Sequence, residues 1–294
     1  MKILLAIDGS AQSENAVRFL LKFNFSHNDE IMVLNVISHV PFKDDRGSYY
    51  ARLRQIKQEI GPQILDSAIN ILKPLNTKIS TALLDGYPDR IILEAASEFG
   101  ADLIVMGARG LKGIKSLMVG SVTRSVSINS QMPVLVVKSS QLETTDTLKV
   151  VYATDGSNFS INTGKFLSKI PFNDDAEITI INVIPSAYMD IPERYWMEVD
   201  EKIKDEIAKI REIEFKVADK IIEDAREVLR SRFSKIKVSI KFGDPSLEIL
   251  NEAEQSMTDI IAVGSSGMRG VKGMLGSVSR SILGHAKCSV LIGK

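Results

Sequence analysis

The amino-acid sequence predicts an α/β fold that is built twice, as two tandem open five-stranded sheets of parallel type with helices on both faces. The chain has 294 residues, about twice the length of one domain. The same order of short motifs occurs in both halves. Within each half, short β-branched runs alternate with longer segments of helical period, and this alternation is typical of βαβ units.

Matching segments in the two halves indicate a duplicated domain. The pairs are "AIDGS" at 6–10 with "ATDGS" at 153–157, "LNVI" at 34–37 with "INVI" at 181–184, and "PVLVVK" at 133–138 with "SVLIGK" at 289–294. The polar, turn-rich segment 139–147 lies between the copies and is predicted to be a linker. We therefore predict one domain at 1–140 and a second at 147–294.

Five strands are predicted in the first half, with helices between them. They cover residues 3–7, 31–37, 78–84, 103–106 and 134–137. The apolar runs "DLIVMG" and "DIIAVG" favour strands that are covered by helices on both faces. Ligands of such sheets bind beyond the carboxyl ends of the strands, so functional residues are expected there.

One helix of the second half is predicted to be unusually long. Apolar residues recur at helical spacing from 194 to 233. The second half also has ten more residues between its matching Asp and Gly than the first, which would add about 15 Å of helix. We expect the extension to cover the first domain or a second chain; core packing within its own half is the alternative.

Composition excludes several function classes. The 37 basic and 37 acidic residues cancel, which argues against a dedicated nucleic-acid-binding protein. No window has the roughly 18 apolar residues of a membrane span, so a cytoplasmic protein with no membrane contact is expected. The single cysteine, Cys288, is predicted to be a buried core thiol. The three histidines have no metal-ligand spacing, and neither a metal site nor a catalytic residue is predicted.

A glycine pattern follows the fourth strand of each half. Gly107 and Gly110 come directly after the strand, and Gly120 and Ser121 open the next helix nine residues later. Glycine lets the backbone approach a ligand closely, and a helix N-terminus stabilises an anion. The signatures of a P-loop and of a dinucleotide-binding loop are absent from the sequence. The G-x-x-G pieces also occur in KH domains, but there they join two helices rather than following a strand.

The spacing G-x-x-G, nine residues, G-S, together with the matching motifs above, resembles the universal stress protein family over the whole chain, twice. The resemblance implies domains of the adenine nucleotide alpha hydrolase type, which are Rossmann-like, with pairing through the last strand. It also implies ATP binding, with or without Mg²⁺. Carried over residue by residue, it places a nucleotide at Asp8, Val36, Gly107, Gly110, Gly120, Ser121 and Val122, and a second at Asp155, Val183, Gly264, Gly267, Gly276, Ser277 and Val278.

The second loop departs from this pattern because eight residues, not nine, separate Gly267 from Gly276. We expect the shorter loop either to pull the helix start inward or to open, and in both cases the first site to be the tighter one. A deletion confined to the tip of the loop, around 270–273, is the alternative. Simpler interpretations also remain open: the glycines serve chain reversal, Asp8 and Asp155 are turn residues before the helix caps Ser10 and Ser157, and the valines pack in the core.

Three functions are compatible with these features. The first is an ATP-binding stress protein that acts as a nucleotide-dependent switch or adaptor. The second is an interaction scaffold of the same fold without a ligand. The third is a slow ATPase, in which Asp8 or Asp155 holds Mg²⁺ on the phosphates. The apolar last strands further predict that the two halves pair with each other within the chain, and they allow a homodimer.

Overall fold

The computed structural model describes residues 1–38, 47–110, 119–138, 147–185, 200–268 and 274–294. Most of the predicted linker lies outside these residues. In the first half, strands and helices alternate as the sequence predicts. The elements are β1 Lys2–Ile7, α1 Ala11–Phe19, β2 Glu30–Ser38, α2 Gly47–Leu72, β3 Lys78–Gly86, α3 Pro88–Phe99, β4 Leu103–Gly107, α4 Ser121–Asn129 and β5 Val134–Val137.

The second half repeats this order. Its elements are β6 Lys149–Ala153, α5 Asn158–Leu167, β7 Glu177–Ile184, α6 Glu201–Leu229, β8 Lys235–Phe242, α7 Pro245–Gln255, β9 Ile260–Gly264, α8 Ser277–His285 and β10 Ser289–Gly293. The serines predicted to cap α1 and α5 do so: Ser10 Oγ accepts from Ser13 N–H, and Ser157 Oγ accepts from Ser160 N–H.

The strands form one ten-stranded sheet in the order β3-β2-β1-β4-β5-β10-β9-β6-β7-β8. The five strands of each half are parallel to one another. Strand β5 pairs with β10 in the antiparallel sense, with Leu135 opposite Leu291. The predicted open five-stranded sheets are therefore present, and they share an edge.

Alternate residues of each strand enter two cores, one on each face of the sheet. On β1, Ile3 and Leu5 pack under α1 and α2, whereas Leu4 and Ala6 pack under α3 and α4. The second half places α5 and α6 on the first face, and α7 and α8 on the other. Both faces of the central strands are covered, which explains their continuous apolar sequence.

Aromatic side chains join the halves on the face of α1 and α5. Phe23 and Phe172 meet edge to face, with ring centroids 5.2 Å apart. Close by, Lys22 Nζ donates to Asp259 Oδ1 at 3.1 Å across the two halves. The contact between the halves thus extends beyond the β5–β10 strand pair.

Helix α6 is shorter than the sequence predicts. Asp200 is its N-cap: ψ is 143° and its carboxylate accepts from Lys202 N–H, so the helix begins at Glu201 and not at 194. It ends at Leu229, with Arg230 as C-cap. Its C-terminal half packs against β7, β8 and α5 of its own half. Residues 186–199, including the N-terminal part of the prediction, lie outside the described residues.

The expected cover for this helix is not found in the described part of the chain. A group of apolar side chains in its N-terminal part is 45–62% exposed: Ile203, Ile210, Ile213, Phe215 and Val217. The side chains that enter the core are Ala218, Ile222, Ala225 and Leu229. Core packing within its own half, the alternative interpretation, therefore describes the C-terminal part of the helix.

Candidate functional site

The candidate site of the first half lies at the carboxyl ends of β1 and β4, which are neighbouring parallel strands. Asp8 directly follows β1, and the glycine loop directly follows β4. Parallel strands end at the same edge of the sheet, so this topology brings the two segments together. In the second half, β6 and β9 place Asp155 and the loop after Gly264 in the same relation.

Asp8 contacts both its own turn and the loop. Its Oδ1 accepts from Ser10 N–H at 3.0 Å, which is the turn interaction considered from the sequence. Its Oδ2 faces Gly110, where a Cβ would overlap the carboxylate oxygen. In the second half, Asp155 Oδ1 accepts from Ser157 N–H at 3.0 Å, and Oδ2 accepts from Met268 N–H at 3.1 Å. Each aspartate therefore serves the turn and also lies against the loop.

The glycines of the two patterns do not share one structural reason. A Cβ at Gly107 would meet the backbone of Gln12 at 2.6 Å, and a Cβ at Gly264 would meet Phe159 and Ser160 backbone atoms at 2.9 Å. These two glycines therefore permit close packing of α1 and α5 on the sheet. Gly110 and Gly267 instead leave room beside the aspartates.

Among the described residues, no side chain accepts a hydrogen bond at the N-terminus of α4. Gly120 is the N-cap and Ser121 is the first helical residue, so the cap position lacks a side chain that could accept from the first amides. Ser121 is exposed and lies at the loop. Helix α8 has the same arrangement, with Gly276 as N-cap followed by the exposed Ser277. Both helix starts can accept an anion at their free N–H groups.

The bases of the two loops have the same geometry despite the missing residue. Gly120 N–H donates to Ala108 O at 2.9 Å, and Gly276 N–H donates to Ser265 O at 2.8 Å. The displaced helix start expected from the eight-residue spacer is therefore not present. The missing residue falls between Met268 and Leu275, and 269–273 lie outside the described residues.

Polar side chains that the sequence analysis missed hold each site in place. Buried Asn35 donates to Ile7 O at 2.9 Å, beside Asp8, and Asn182 donates to Thr154 O at 2.7 Å, beside Asp155. Thr123 donates to Gly107 O at 2.9 Å, and Ser279 donates to Gly264 O at 2.6 Å. Repetition of Asn within "LNVI" and "INVI" was the available signal, because a polar residue twice at one position of an apolar strand indicates a buried hydrogen bond.

The predicted valines lie at the edges of the sites. Val36 and Val183, near the ends of β2 and β7, are partly buried and pack on the core face of α3 and α7. Val122 and Val278 follow the serines of the two helix starts and pack on the same face. Core packing therefore accounts for these side chains.

Charge differs between the two loops at one described position. Arg109 of the first loop corresponds to Ser266 of the second, since each precedes the second glycine of its pattern. Ser266 is 4% exposed, and its hydroxyl has no hydrogen-bond partner in the described structure. The other basic residues of the pattern, Lys112, Lys115, Arg269 and Lys272, lie outside the described residues.

Two structural limits apply to the described residues. They contain no group of three or more His, Cys, Asp or Glu side chains that could hold a metal ion. No helix among them is both long and apolar enough to cross a membrane.

A sequence model described as the universal stress protein family matches residues 1–138 and 147–294. The chain belongs to the universal stress protein family. The two matches mean that it contains two such domains in tandem. This agrees with the resemblance that the glycine pattern and the repeated motifs indicate.

Individual relatives agree with this membership. A universal stress protein of Methanocaldococcus jannaschii is 33% identical over 144 residues, which is 48% of this chain and 84% of that protein. One of Mycolicibacterium smegmatis is 23% identical over 304 residues, which is 99% of this chain and 96% of that protein. The crystal structure of a universal stress protein from Archaeoglobus fulgidus covers 100% of this chain and 96% of its own, with a TM-score of 0.65 and 24% identity. This last likeness shows the shared fold.

Proposed function

We propose that this universal stress protein binds ATP at the loops after β4 and β9 and acts as a nucleotide-dependent stress-response switch or adaptor. The observation that carries the proposal is the same in both halves: a helix N-terminus without a side-chain cap among the described residues lies against the loop glycine that faces an aspartate. The proposed domains are 1–140 and 147–294, and the proposed location is the cytoplasm.

The phosphates would bind at the helix starts. The N–H groups of Ser121 and Val122, and of Ser277 and Val278, together with the helix dipole, favour negative charge. The Ser121 and Ser277 hydroxyls are exposed at the same place and can donate to phosphate oxygens. Gly110 and Gly267 keep the loop free of side chains where it passes the aspartates. Ser266 would give the second site an additional donor.

The nucleoside would bind at the strand ends. Asp8 and Asp155 supply carboxylate oxygens that can accept from ribose hydroxyls, and the backbones of Val36 and Val183 would meet the adenine edge. Mg²⁺, if it accompanies ATP, would bind to phosphate oxygens and one of these carboxylates, which are the oxygen ligands that this cation prefers. ATP supplies the phosphate charge that the site recognises.

Thermal unfolding with and without Mg-ATP tests the proposal. A ligand that binds only the folded state stabilises it by about 2.7 kcal/mol at a hundredfold excess over its dissociation constant. We expect Gly110→Ala and Gly267→Ala each to remove part of this stabilisation, since a Cβ would press on Asp8 or Asp155. Gly284→Ala is the matched control, because a Cβ there meets nothing within 4 Å.

The alternatives give different results in the same samples. A ligand-free scaffold would unfold at the same temperature with and without ATP. A slow ATPase would be stabilised and would also release phosphate over time. Stabilisation by ATP without phosphate release is the result expected for a switch or adaptor.

A further inference from the structure

Two lysines at the ends of the paired strands reach into the opposite half of the molecule. Lys138, directly after β5, donates through Nζ to Leu283 O at 2.5 Å and to Ala286 O at 2.9 Å. Lys294, directly after β10, donates through Nζ to Ser127 O at 2.8 Å and to Ile128 O at 3.4 Å. The two lysines occupy matching positions in the two halves, and so do the acceptors Ser127 and Leu283.

The acceptors are carbonyls at the C-terminal ends of the helices that begin at the glycine loops. Ser127 and Ile128 lie in the last turn of α4, while Leu283 lies in the last turn of α8 and Ala286 is its C-cap. Carbonyls of a last turn lack partners within the helix, and a cation placed there is stabilising. Each lysine therefore caps the helix whose other end faces the candidate site of the opposite half.

The same strand ends also hold the loops of their own halves. Val137 O accepts from Ala108 N–H at 2.8 Å, and Gly293 O accepts from Ser265 N–H at 2.8 Å. Each of these carbonyls belongs to the residue directly before the lysine. One short segment thus contacts the loop of its own half through the backbone and the site helix of the opposite half through the side chain.

Both lysines are half-buried. Burial disfavours the charged form of each side chain. It lowers the pKa of both lysines to about 8. At Lys138 the charge of Arg109, in the first loop, lowers the pKa further. Because both pKa values lie above 7, most of each side chain remains an ammonium ion at neutral pH.

We propose that Lys138 and Lys294 are positioning residues that act across the molecule, Lys294 setting the phosphate-facing end of α4 and Lys138 that of α8, so that the two nucleotide sites are coupled. Helix α4 has nine residues and is about 14 Å long, so an anchor at its C-terminus positions its first amides. The proposal rests on the proposed nucleotide binding.

The test uses full-length chains in which one site at a time is functional. Gly267→Ala leaves the first site, and Gly110→Ala leaves the second. Lys294→Met is added to each background, and the dissociation constant for ATP is measured by calorimetry. We expect Lys294→Met to weaken the first site about two- to fivefold and to leave the second site, in its own half, unchanged. Lys138→Met should show the reverse pattern; Lys294 is the cleaner probe because Arg109 lies near Lys138.

Lys287→Met is the matched control, since this exposed lysine of the same region pairs with Glu254 at the surface. Amide hydrogen exchange of the ligand-free chains provides a second readout that needs no nucleotide. In Lys294→Met, exchange should become faster in the first turn of α4 but not in that of α8. If the methionine variant does not fold, Lys294→Gln, which keeps an N–H donor, replaces it. The expected result is the same: a change at the first site, in the opposite half, and none at the second.

The outcomes separate this proposal from the proposed function. The positioning role is supported if each lysine substitution changes ATP affinity or amide exchange in the opposite half and not in its own half. Equal effects on both sites, an effect confined to the lysine's own half, or no effect beyond that of Lys287→Met overturns it. If the unmodified chain binds no ATP, the proposed function fails, and the exchange pattern alone decides whether the lysines position the helices across the halves.

Discussion

At the scale of single residues, Asn35 and Asn182 fix the strand ends where the candidate sites begin. Replacing Asn35 with Ala leaves Ile7 O buried without its side-chain donor, which costs about 1–3 kcal/mol. We expect this loss in the free energy of unfolding measured with urea. Asn76→Ala, at an exposed loop position, should change it by less than about 0.5 kcal/mol. Equal effects of the two substitutions would contradict the assigned role.

The buried lysines predict how stability depends on pH. Their pKa falls from 10.5 in the unfolded chain to about 8 in the folded protein, so between these values the unfolded state binds more protons. Stability contributed by these groups therefore rises with pH above 8. Between pH 8 and 9 we expect the free energy of unfolding to rise about 1–2 kcal/mol more than in the double variant Lys138→Met, Lys294→Met. Parallel curves for the two proteins would show that the lysines are not buried as described.

Prediction of single residues from the sequence succeeded where the residue interacts with its immediate neighbours in the chain. The aspartates lie at the loops, and the serines after them cap the helices, because turn and cap chemistry is local. It failed where the cause lies in another element. The reason for Gly107 is the backbone of α1, and the partner of Asn35 is the end of β1; neither is visible in the neighbouring sequence.

At the scale of elements, α6 divides into a packed part and an exposed part. Ile222→Ala should cost about 2–5 kcal/mol, because this side chain is buried in the core under the sheet. Ile213→Ala, on the same helix, should change stability by less than about 0.5 kcal/mol, because its side chain is 62% exposed. Chemical denaturation of both variants checks this. A large loss for Ile213→Ala would mean that a partner covers the exposed part.

The bounds of this helix show what periodicity can and cannot predict. Helical spacing of apolar residues identified the helix. The same spacing occurs whether the apolar face is buried or exposed, so it does not predict what covers that face. It could not identify the start, which Asp200 sets through a local cap, nor the absence of cover in the described structure. The glycine loops show the same limit of prediction from sequence. The length of each spacer can be read from the sequence, but the hydrogen bond that both loop bases keep cannot.

At the scale of the whole molecule, the two halves share one sheet through β5 and β10. We propose that this pairing persists in solution and protects both edge strands. An isolated fragment 1–140 would expose β5 and should therefore form a dimer in sedimentation experiments. Comparison with the full-length chain at the same concentration is the control. A fragment that stays monomeric at high concentration would count against pairing as the reason for the apolar last strands.

We propose that each half of the chain carries one ATP site. Native mass spectrometry of the full-length protein with ATP tests it most directly, because it counts bound nucleotides. We predict two per chain for the unmodified protein, one for Gly110→Ala, one for Gly267→Ala and none for the double variant. Failure of the unmodified chain to retain ATP, or two bound nucleotides in the double variant, would contradict one ATP site in each half.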